Sequence, residues 1–434
     1  MRSPHLRCSL VFLLVALCLP LAAPGDDLGF QRDRMKAILD IVSNKVEKEF
    51  WDPGMRGLDW KALKEQTRQK IERAENVNQM VTSIASMINK LDDSHTVFVP
   101  PTRASKVKFG FDARAFGDEI RIYELRKDGA ARKAGLEIGD RLLTVNGFNV
   151  ERSTFDAMMF YLLVLRPVGG MEITAQRGNE AAPRAIRVEG KMEPGAVLRE
   201  YWDRYFDSVR ESQDYWNEHP DRYIKGEGTV GYLFLRSFDV SQQYTWDLVK
   251  EVAKSKALVL DLRGNRGGRL DTLAYFLGCF EQEKATIATV ARRGNNEPVK
   301  VEPKSPHLSG PLFILVDSGT ASASEITARY LQKRHRATVI GDHTAGKVTV
   351  ARYFGLEIEN GSVLFAVNVA IGRFVFADGE ELEKKAVAPD VTCLPTGSDL
   401  QEGLDPCFDL AMKMAYKAVG LPLPDLQKEM KERR

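Results

Sequence analysis

The sequence predicts an α/β protein: a core of mixed strands and helices, preceded by a helical region and a small β-rich insert. Three observations predict it. Apolar residues recur at helical spacing between residues 29 and 90. Short alternating runs punctuated by glycine fill residues 105–190. Beyond Val230, strand-like apolar runs alternate with helical ones, the pattern of an α/β core. A length of 434 residues suits two or three domains. Apolar residues make up 44% and charged residues 28%, an ordinary globular balance, and the net charge of +2 gives no reason to expect nucleic acid or an anionic membrane as partner.

Residues 1–25 read as an export signal. Arg2 and Arg7 supply the positive start, an apolar run spans Leu10 to Leu19, and Ala23-Pro24-Gly25 offers small residues for cleavage ahead of Asp26. The apolar run is well below the ~18 residues of a spanning helix. The alternatives are a short membrane anchor or, on the weaker match at Val15 to Cys18, a lipid anchor. The expected location is therefore outside the cytoplasm, periplasmic or extracellular, free or held at a membrane. No later segment is long and apolar enough to span a bilayer.

Residues 26–104 form the helical region. Met35, Ile38, Leu39, Val42 and Val46 make one stripe of a helix over 29–50, which Trp51-Asp52-Pro53-Gly54 breaks. Helices over 59–74 and 77–90 follow, ending in Leu91-Asp92-Asp93-Ser94-His95-Thr96-Val97-Phe98. Residues 105–190 carry strands at Glu119 to Leu125, Arg141 to Val145 and Glu172 to Gln176, a short helix ending at Gly135, and a hairpin turn at Asn146-Gly147. This stretch resembles a PDZ domain of the bacterial type, most specifically from Gly129 to Val150. Phe109, Gly110 and Phe111 then stand where that family binds a peptide's terminal carboxylate, while the peptide adds a strand to the sheet edge. An ordinary small β domain without a ligand is the alternative. Residues 191–228 are charged and aromatic and bridge to the core at 229–434. There, strands are expected at Gly231 to Phe238, Ala257 to Leu262, Pro311 to Val316 and Ala337 to Ile340, with helices at Val240 to Lys254, Leu270 to Phe280 and Ser322 to His335.

Five cysteines occur. Cys8 and Cys18 lie in the signal, and Cys279 sits in an apolar helical run as a buried thiol. Cys393 and Cys407 either stay as thiols or, in an oxidising compartment, close a loop of about 15 residues worth ~3 kcal/mol. The six histidines are scattered and no CxxC or HExxH pattern exists, so neither a metal nor a cofactor is expected.

Three segments carry candidate chemistry. In Val316-Asp317-Ser318-Gly319-Thr320-Ala321-Ser322-Ala323-Ser324-Glu325, a strand ends, small residues turn, and a helix begins. A serine there has its hydroxyl beside free helix N–H groups that can stabilise an oxyanion, although by itself the pattern is equally that of a helix cap. It is not the G-x-S-x-G elbow. In Gly341-Asp342-His343-Thr344-Ala345-Gly346-Lys347, a lysine can act as a base if burial lowers its pKa. The same heptad nearly matches a phosphate-binding loop, but Val348 stands where Ser or Thr must hold magnesium and the following run reads as strand. In Asp261-Leu262-Arg263-Gly264-Asn265-Arg266-Gly267-Gly268, paired glycines let backbone N–H groups approach a ligand, or simply make a tight turn.

Jointly these segments resemble the carboxyl-terminal processing peptidases, PDZ-bearing relatives of tricorn protease. The matching runs are Asp261 to Gly268, Ser322 to Glu325, Thr344 to Lys347 (25 residues after the serine), the Leu-x-Asp-x-His-Thr run at 91–96, and Ala388-Pro389-Asp390-Val391. The resemblance implies a crotonase-like spiral in the core and a serine endopeptidase acting on the C-terminal tails of proteins. It implies Ser322 as nucleophile, Lys347 as base, an oxyanion hole from Ala323 with Gly267 or Gly268, and support from Arg263, Glu325 and Thr344. Ala351 departs from the pattern, because many members carry a glutamine there that orients the lysine. Some relatives use the histidine instead, which makes His95 an alternative base; its plainer role is to join the helical region to the core. A catalytically inactive PDZ-bearing scaffold is the competing class.

Overall fold

A computed structural model of the protein describes residues 28–101, 105–178, 180, 182–194, 222–224, 228–358 and 363–425. The expected export signal and most of the expected 191–228 bridge lie outside them. Among the described residues no helix is long and apolar enough to cross a membrane.

The chain opens with helices α1 (Leu28–Glu49), α2 (Trp60–Glu72) and α3 (Val77–Asn89). The expected α1 stripe, Met35 to Val46, is buried. Side chains of Asp59 and Asn76 accept amide hydrogen bonds at the starts of α2 and α3, satisfying helix-end donors. The three helices do not close a core of their own. Strand β1 (Val97–Val99) follows them, and far along the chain a long antiparallel hairpin offers Phe365, Val367, Val369 and Ala370 to the same apolar cluster.

The insert contains β2 (Ser105–Lys108), β3 (Phe111–Phe116), β4 (Glu119–Leu125), α4 (Ala130–Lys133), β5 (Arg141–Val145), β6 (Phe148–Asn149), α5 (Phe155–Phe160), β7 (Gly170–Gln176), β8 (Arg184–Glu189) and β9 (Lys191–Pro194). Its main sheet runs β3-β4-β5-β7-β8, with β3 at the edge. Ile122, Leu142, Val145, Met171 and Ile173 centre a separate apolar cluster.

The last part holds β10 (Arg222–Ile224), β11 (Val230–Phe234), α6 (Gln242–Val252), β12 (Ala257–Asp261), α7 (Leu270–Gly278), β13 (Ala285–Arg292), β14 (Asn295–Val301), β15 (Leu312–Val316), α8 (Ala323–Lys333), β16 (Ala337–Gly341), β17 (Thr349–Ile358), β18 (Val363–Phe376), β19 (Val391–Thr392), α9 (Gly397–Glu402) and α10 (Pro406–Ala418). β11, β12, β15, β16 and β19 pair in parallel, with β10 antiparallel on the edge. Every residue of β12 and β15 is buried, as expected of parallel strands covered on both faces. One face packs on α6, α7 and α8, the other on α10. β17 pairs along the length of β18, whose other edge takes β1 and then β13. The chain's beginning and its last long hairpin are therefore one sheet.

The strand expected to reach Phe238 ends at Phe234, and Phe238 instead bridges to Gly268. Cys393 and Cys407 are joined by a disulfide with Cα atoms 5.6 Å apart, tying β19 to the first turn of α10. Cys279 is a buried thiol, its pKa pushed up to about 12 by that burial.

Candidate active site

The C-terminal ends of β12, β15 and β16 lie side by side and each feeds a loop, the usual place for a ligand beside parallel strands. The loop after β15 is pinned before it reaches Ser322. The Asp317 carboxylate accepts the amides of Gly264 (2.8 Å) and Gly319 (3.0 Å), and Thr320 donates its hydroxyl to the Leu262 carbonyl (2.9 Å). Ser322 then adopts φ 57°, ψ −121° and caps α8. A non-glycine residue there stores about 1–3 kcal/mol, held by its surroundings. The G-x-S-x-G pattern is absent, yet the sharp strand-to-helix turn is of the kind that lifts a nucleophile out of the backbone. Ala323 opens α8, so its amide has no acceptor within the helix.

The glycine loop packs directly against this turn. A Cβ on Gly267 would lie 2.6 Å from Ser322 Cβ and 2.8 Å from the Ala323 amide, and one on Gly268 would lie 2.1 Å from the Asp239 amide. Both positions thus require glycine for close approach, quite apart from their positive φ. The amide of Gly267 donates to Asn265 Oδ1 (2.8 Å).

Glu325 joins Ser322 to the third loop. This carboxylate is fully buried. Oε1 accepts the Thr344 hydroxyl (2.5 Å) and the Gly346 amide (2.7 Å), and Oε2 accepts the amides of Ser322 (3.0 Å) and Lys347 (2.9 Å). Burial pushes its pKa up, against the lowering pull of those four donors. The Ser322 amide is shared with the Lys347 carbonyl (3.0 Å).

The Lys347 side chain departs from expectation. It is 39% exposed, and its ammonium donates to Asp156 Oδ2 of α5 across 2.5 Å. The expected burial is absent: the residue of the insert that meets the ammonium is Asp156, itself 78% exposed, and not an apolar side chain. Ala351 of β17 pairs with Ala370 of β18, and the side chain that engages the Lys347 ammonium is Asp156.

His95 follows the turn after α3. Asp93 Oδ1 accepts the amides of His95 (2.9 Å) and Thr96 (3.0 Å), and the His95 carbonyl accepts Asn368 Nδ2 (2.7 Å) from β18. The Ser94 hydroxyl lies 2.9 Å from Glu383 Oε2 and 2.8 Å from His95 Nδ1. An ionised carboxylate only accepts, so the hydroxyl proton goes to Glu383 and Ser94 Oγ receives Nδ1–H. Nε2 is then the unprotonated nitrogen of the ring. Burial lowers the imidazole pKa; Glu383 and Asp93 oppose that, and Lys347 adds to it. Glu383 Oε2 also accepts the Val348 amide (2.8 Å). One peptide unit, Lys347–Val348, therefore bonds Ser322 through its carbonyl and Glu383 through its N–H.

Arg263 lies apart from this group. Its guanidinium bridges Asp261 (2.6 and 2.9 Å) and Asp405 (2.7 and 2.8 Å), and Tyr232 donates to the same Asp261 (2.9 Å). Its contact is with the start of α10, so any support it gives the glycine loop is from below. Thr344 supports directly, donating to Glu325 and accepting the Val387 amide (2.8 Å). In the insert, Phe109 is buried at 5% exposure and its carbonyl accepts the Ala131 amide (2.9 Å), while the Gly110 carbonyl accepts the Arg126 amide (3.1 Å). Phe111 begins the edge strand β3. The outer end of β3 touches the core: Ser318 donates to the Ala115 carbonyl (2.7 Å), and Arg114 pairs with Asp317.

Comparison with known proteins gives two family models: Peptidase family S41 over residues 229–393, and Tricorn protease C1 domain over residues 33–89. Carboxyl-terminal-processing peptidase 1, chloroplastic, of Arabidopsis thaliana is 26% identical over 358 residues, covering 75% of this chain and 64% of the relative. Carboxy-terminal processing protease CtpA of Bacillus subtilis (strain 168) is 26% identical over 322 residues, covering 71% and 62%. The chain thus spans a little under two thirds of the length of these two relatives. Among solved structures, mature CPAF complexed with lactacystin superposes with a TM-score of 0.67 at 14% identity, covering 90% of this chain and 99% of that one. At that identity the likeness speaks to the mixed α/β fold.

Proposed function

We propose that this chain, whose residues 229–393 match the model of Peptidase family S41, is an exported serine endopeptidase in which Ser322 attacks the scissile carbonyl. The hydrogen-bond chain from Ser322 through the Lys347–Val348 peptide to Glu383, Ser94 and His95 carries this reading. It favours His95 as base over Lys347. His95 offers an acceptor nitrogen, with a tautomer set by Ser94 and Glu383; Lys347 presents a donor already engaged by Asp156. In the reaction His95 Nε2 takes the Ser322 hydroxyl proton as Oγ bonds the carbonyl carbon. The amides of Ala323 and Gly268 receive the oxyanion, since that of Gly267 is held by Asn265. His95 returns the proton to the leaving nitrogen as the C–N bond breaks, and water then hydrolyses the acyl-enzyme.

Lys347 as base is the second reading. Its backbone adjoins Ser322, and release from Asp156 would free its side chain. In either case the insert acts as a PDZ-like module: the open edge of β3 would take up the C-terminal tail of a protein substrate as an added strand. The test is incubation with an unfolded protein, alongside labelling by a fluorophosphonate. Cleavage and labelling at Ser322 are expected, both lost in Ser322→Ala. Binding of the protein without cleavage would favour the inactive scaffold.

A further inference from the structure

The geometry points to Arg266 as a specificity residue that selects substrates carrying an acidic side chain, aspartate or glutamate, beside the scissile bond; this rests on Ser322 as nucleophile and on the Gly268 amide as oxyanion donor. Arg266 is held on both sides by residues that touch the site. The Asn265 carbonyl accepts the Ala321 amide (2.9 Å), and Asn265 Nδ2 donates to the Leu235 carbonyl (2.8 Å). Gly267 packs on Ser322 Cβ, and its carbonyl accepts the Phe238 amide (2.8 Å). The backbone at 266 is therefore set relative to the nucleophile. Two residues span at most about 7 Å, so its Cα lies within that distance of Gly268. A side chain as long as arginine's then reaches the substrate residues that flank a carbonyl bound there. In the resembled run Asp-Leu-Arg-x-Asn-x-Gly-Gly, Arg266 fills the second open place, so the cation belongs to this chain and not to the construction of the loop.

The other arginines around the loop have carboxylates of their own. Arg263 is matched by Asp261 and Asp405, Arg269 by Asp271, and Arg114 of β3 by Asp317. Arg266 is exposed, and among the described residues its side chain makes no hydrogen bond or ion pair; the same holds for Arg126, just after β4. Both reach one acid, Asp112 of β3, only through their fields. Asp112 is open to solvent yet deep among protein atoms: desolvation raises its pKa, and Arg126, Arg114 and Arg266 pull the other way. The residues that converge on Asp112 come from the insert and from the core, which marks a cleft between the edge strand and the glycine loop. A peptide lying in it meets two unbonded guanidinium groups and one acid whose charge burial disfavours. A guanidinium takes a carboxylate through paired N–H donors, a geometry that an amide cannot match. In the reading above the substrate's chain end goes to Phe109, Gly110 and Phe111, so the carboxylate met at Arg266 is a side chain's.

The experiment measures kcat/KM of the full chain on peptides with Glu, Gln or Lys at each position near the bond cut, each peptide made with a free and with an amidated C-terminus. Wild type should prefer Glu to Gln by about 10- to 100-fold at one position, the effect of a hydrogen bond to a charged group. The Glu-to-Gln ratio should fall to within about twofold in Arg266→Gln, and Arg266→Glu should prefer Lys at that position. In wild type alone the ratio should shrink as NaCl rises from about 50 to about 500 mM, because salt screens an exposed pair, so the test stands even if a variant does not fold. A wild-type ratio within twofold at every position, a ratio unmoved by salt, or one that persists in Arg266→Gln would overturn the assignment. A preference that amidation removes would place the carboxylate at the chain end and overturn it as well. Wild type that cuts none of the peptides and takes no fluorophosphonate label at Ser322 is a different failure: it removes the peptidase reading, and this inference with it.

Discussion

The Val348 amide lies 2.8 Å from Glu383 Oε2, while the carbonyl of the same peptide unit lies 3.0 Å from the Ser322 amide. Lys347 thus contributes its backbone to the site, and its side chain turns to the insert. The two candidate bases make different demands on experiment.

With His95 as base, His95→Gln should lower kcat/KM by about 10²–10⁴-fold, the usual span of general acid–base catalysis, while Lys347→Ala stays within tenfold of wild type. Steady-state kinetics on one peptide substrate decides it. Collapse of Lys347→Ala with His95→Gln intact would restore the lysine.

The acid limb of the pH profile separates them again. A base works unprotonated, and burial lowers the His95 pKa. The limb of kcat/KM should therefore lie below the ordinary imidazole value of about 6.5, with the rate lost as pH falls through it. A limb on the alkaline side of 7 belongs to a lysine.

Asp156→Asn tests the contact between insert and site. Asp156 is 78% exposed, so the pair with Lys347 adds under about 1 kcal/mol to stability. A urea midpoint close to wild type is expected. The variant's rate on long-tailed substrates should rise if this contact holds the insert shut, and a drop in rate would exclude that role.

The buried network below the glycine loop should behave oppositely. Arg263→Leu leaves Asp261 and Asp405 facing each other without their cation, which costs about 3–5 kcal/mol. Burial alone would raise the Asp405 pKa, but Arg263 and two amide donors outweigh it and lower the folded value. A lowered folded pKa contributes stability that is full above the unfolded value near 4 and is lost as pH falls through the folded one. Urea midpoints measured from pH 6 to pH 2 should show that loss in wild type and a flatter curve in Arg263→Leu.

Replacing Cys393 and Cys407 by serine should cost ~3 kcal/mol, the entropy of the loop they close. Denaturation of wild type with and without a reductant reads the same difference.

What the sequence made legible was what lies close along the chain. The helix stripe from Met35 to Val46, the strand ends, and the serine at a helix start all follow from local spacing. So did the need for glycine beside Ser322, although the reason was packing rather than an amide freed at both positions. Glu383 and Asp156 were not legible. Their partners Ser94 and Lys347 stand 289 and 191 residues away, and a lone acidic residue in a charged stretch has no local mark. The burial expected of Lys347 failed for the same reason: it depends on which insert residue faces the loop. Ser94 was visible beside His95, but only the position of Glu383 gives its hydroxyl a direction. The hairpin of β13 and β14, and helices α9 and α10, carry no chemistry and went unread.

β18 pairs with β1 at one end of its edge and with β13 at the other. A chain made from its N-terminus therefore presents His95 early, Ser322 much later, and Glu383 later still. Until β18 has joined β1, the imidazole has no fixed seat against the core, and until Glu383 arrives Ser94 has no carboxylate to point at. On this assignment a growing chain carries a serine without its proton acceptor. The order of synthesis would then act as a safety catch, keeping the protein from cutting itself or its neighbours before it is whole.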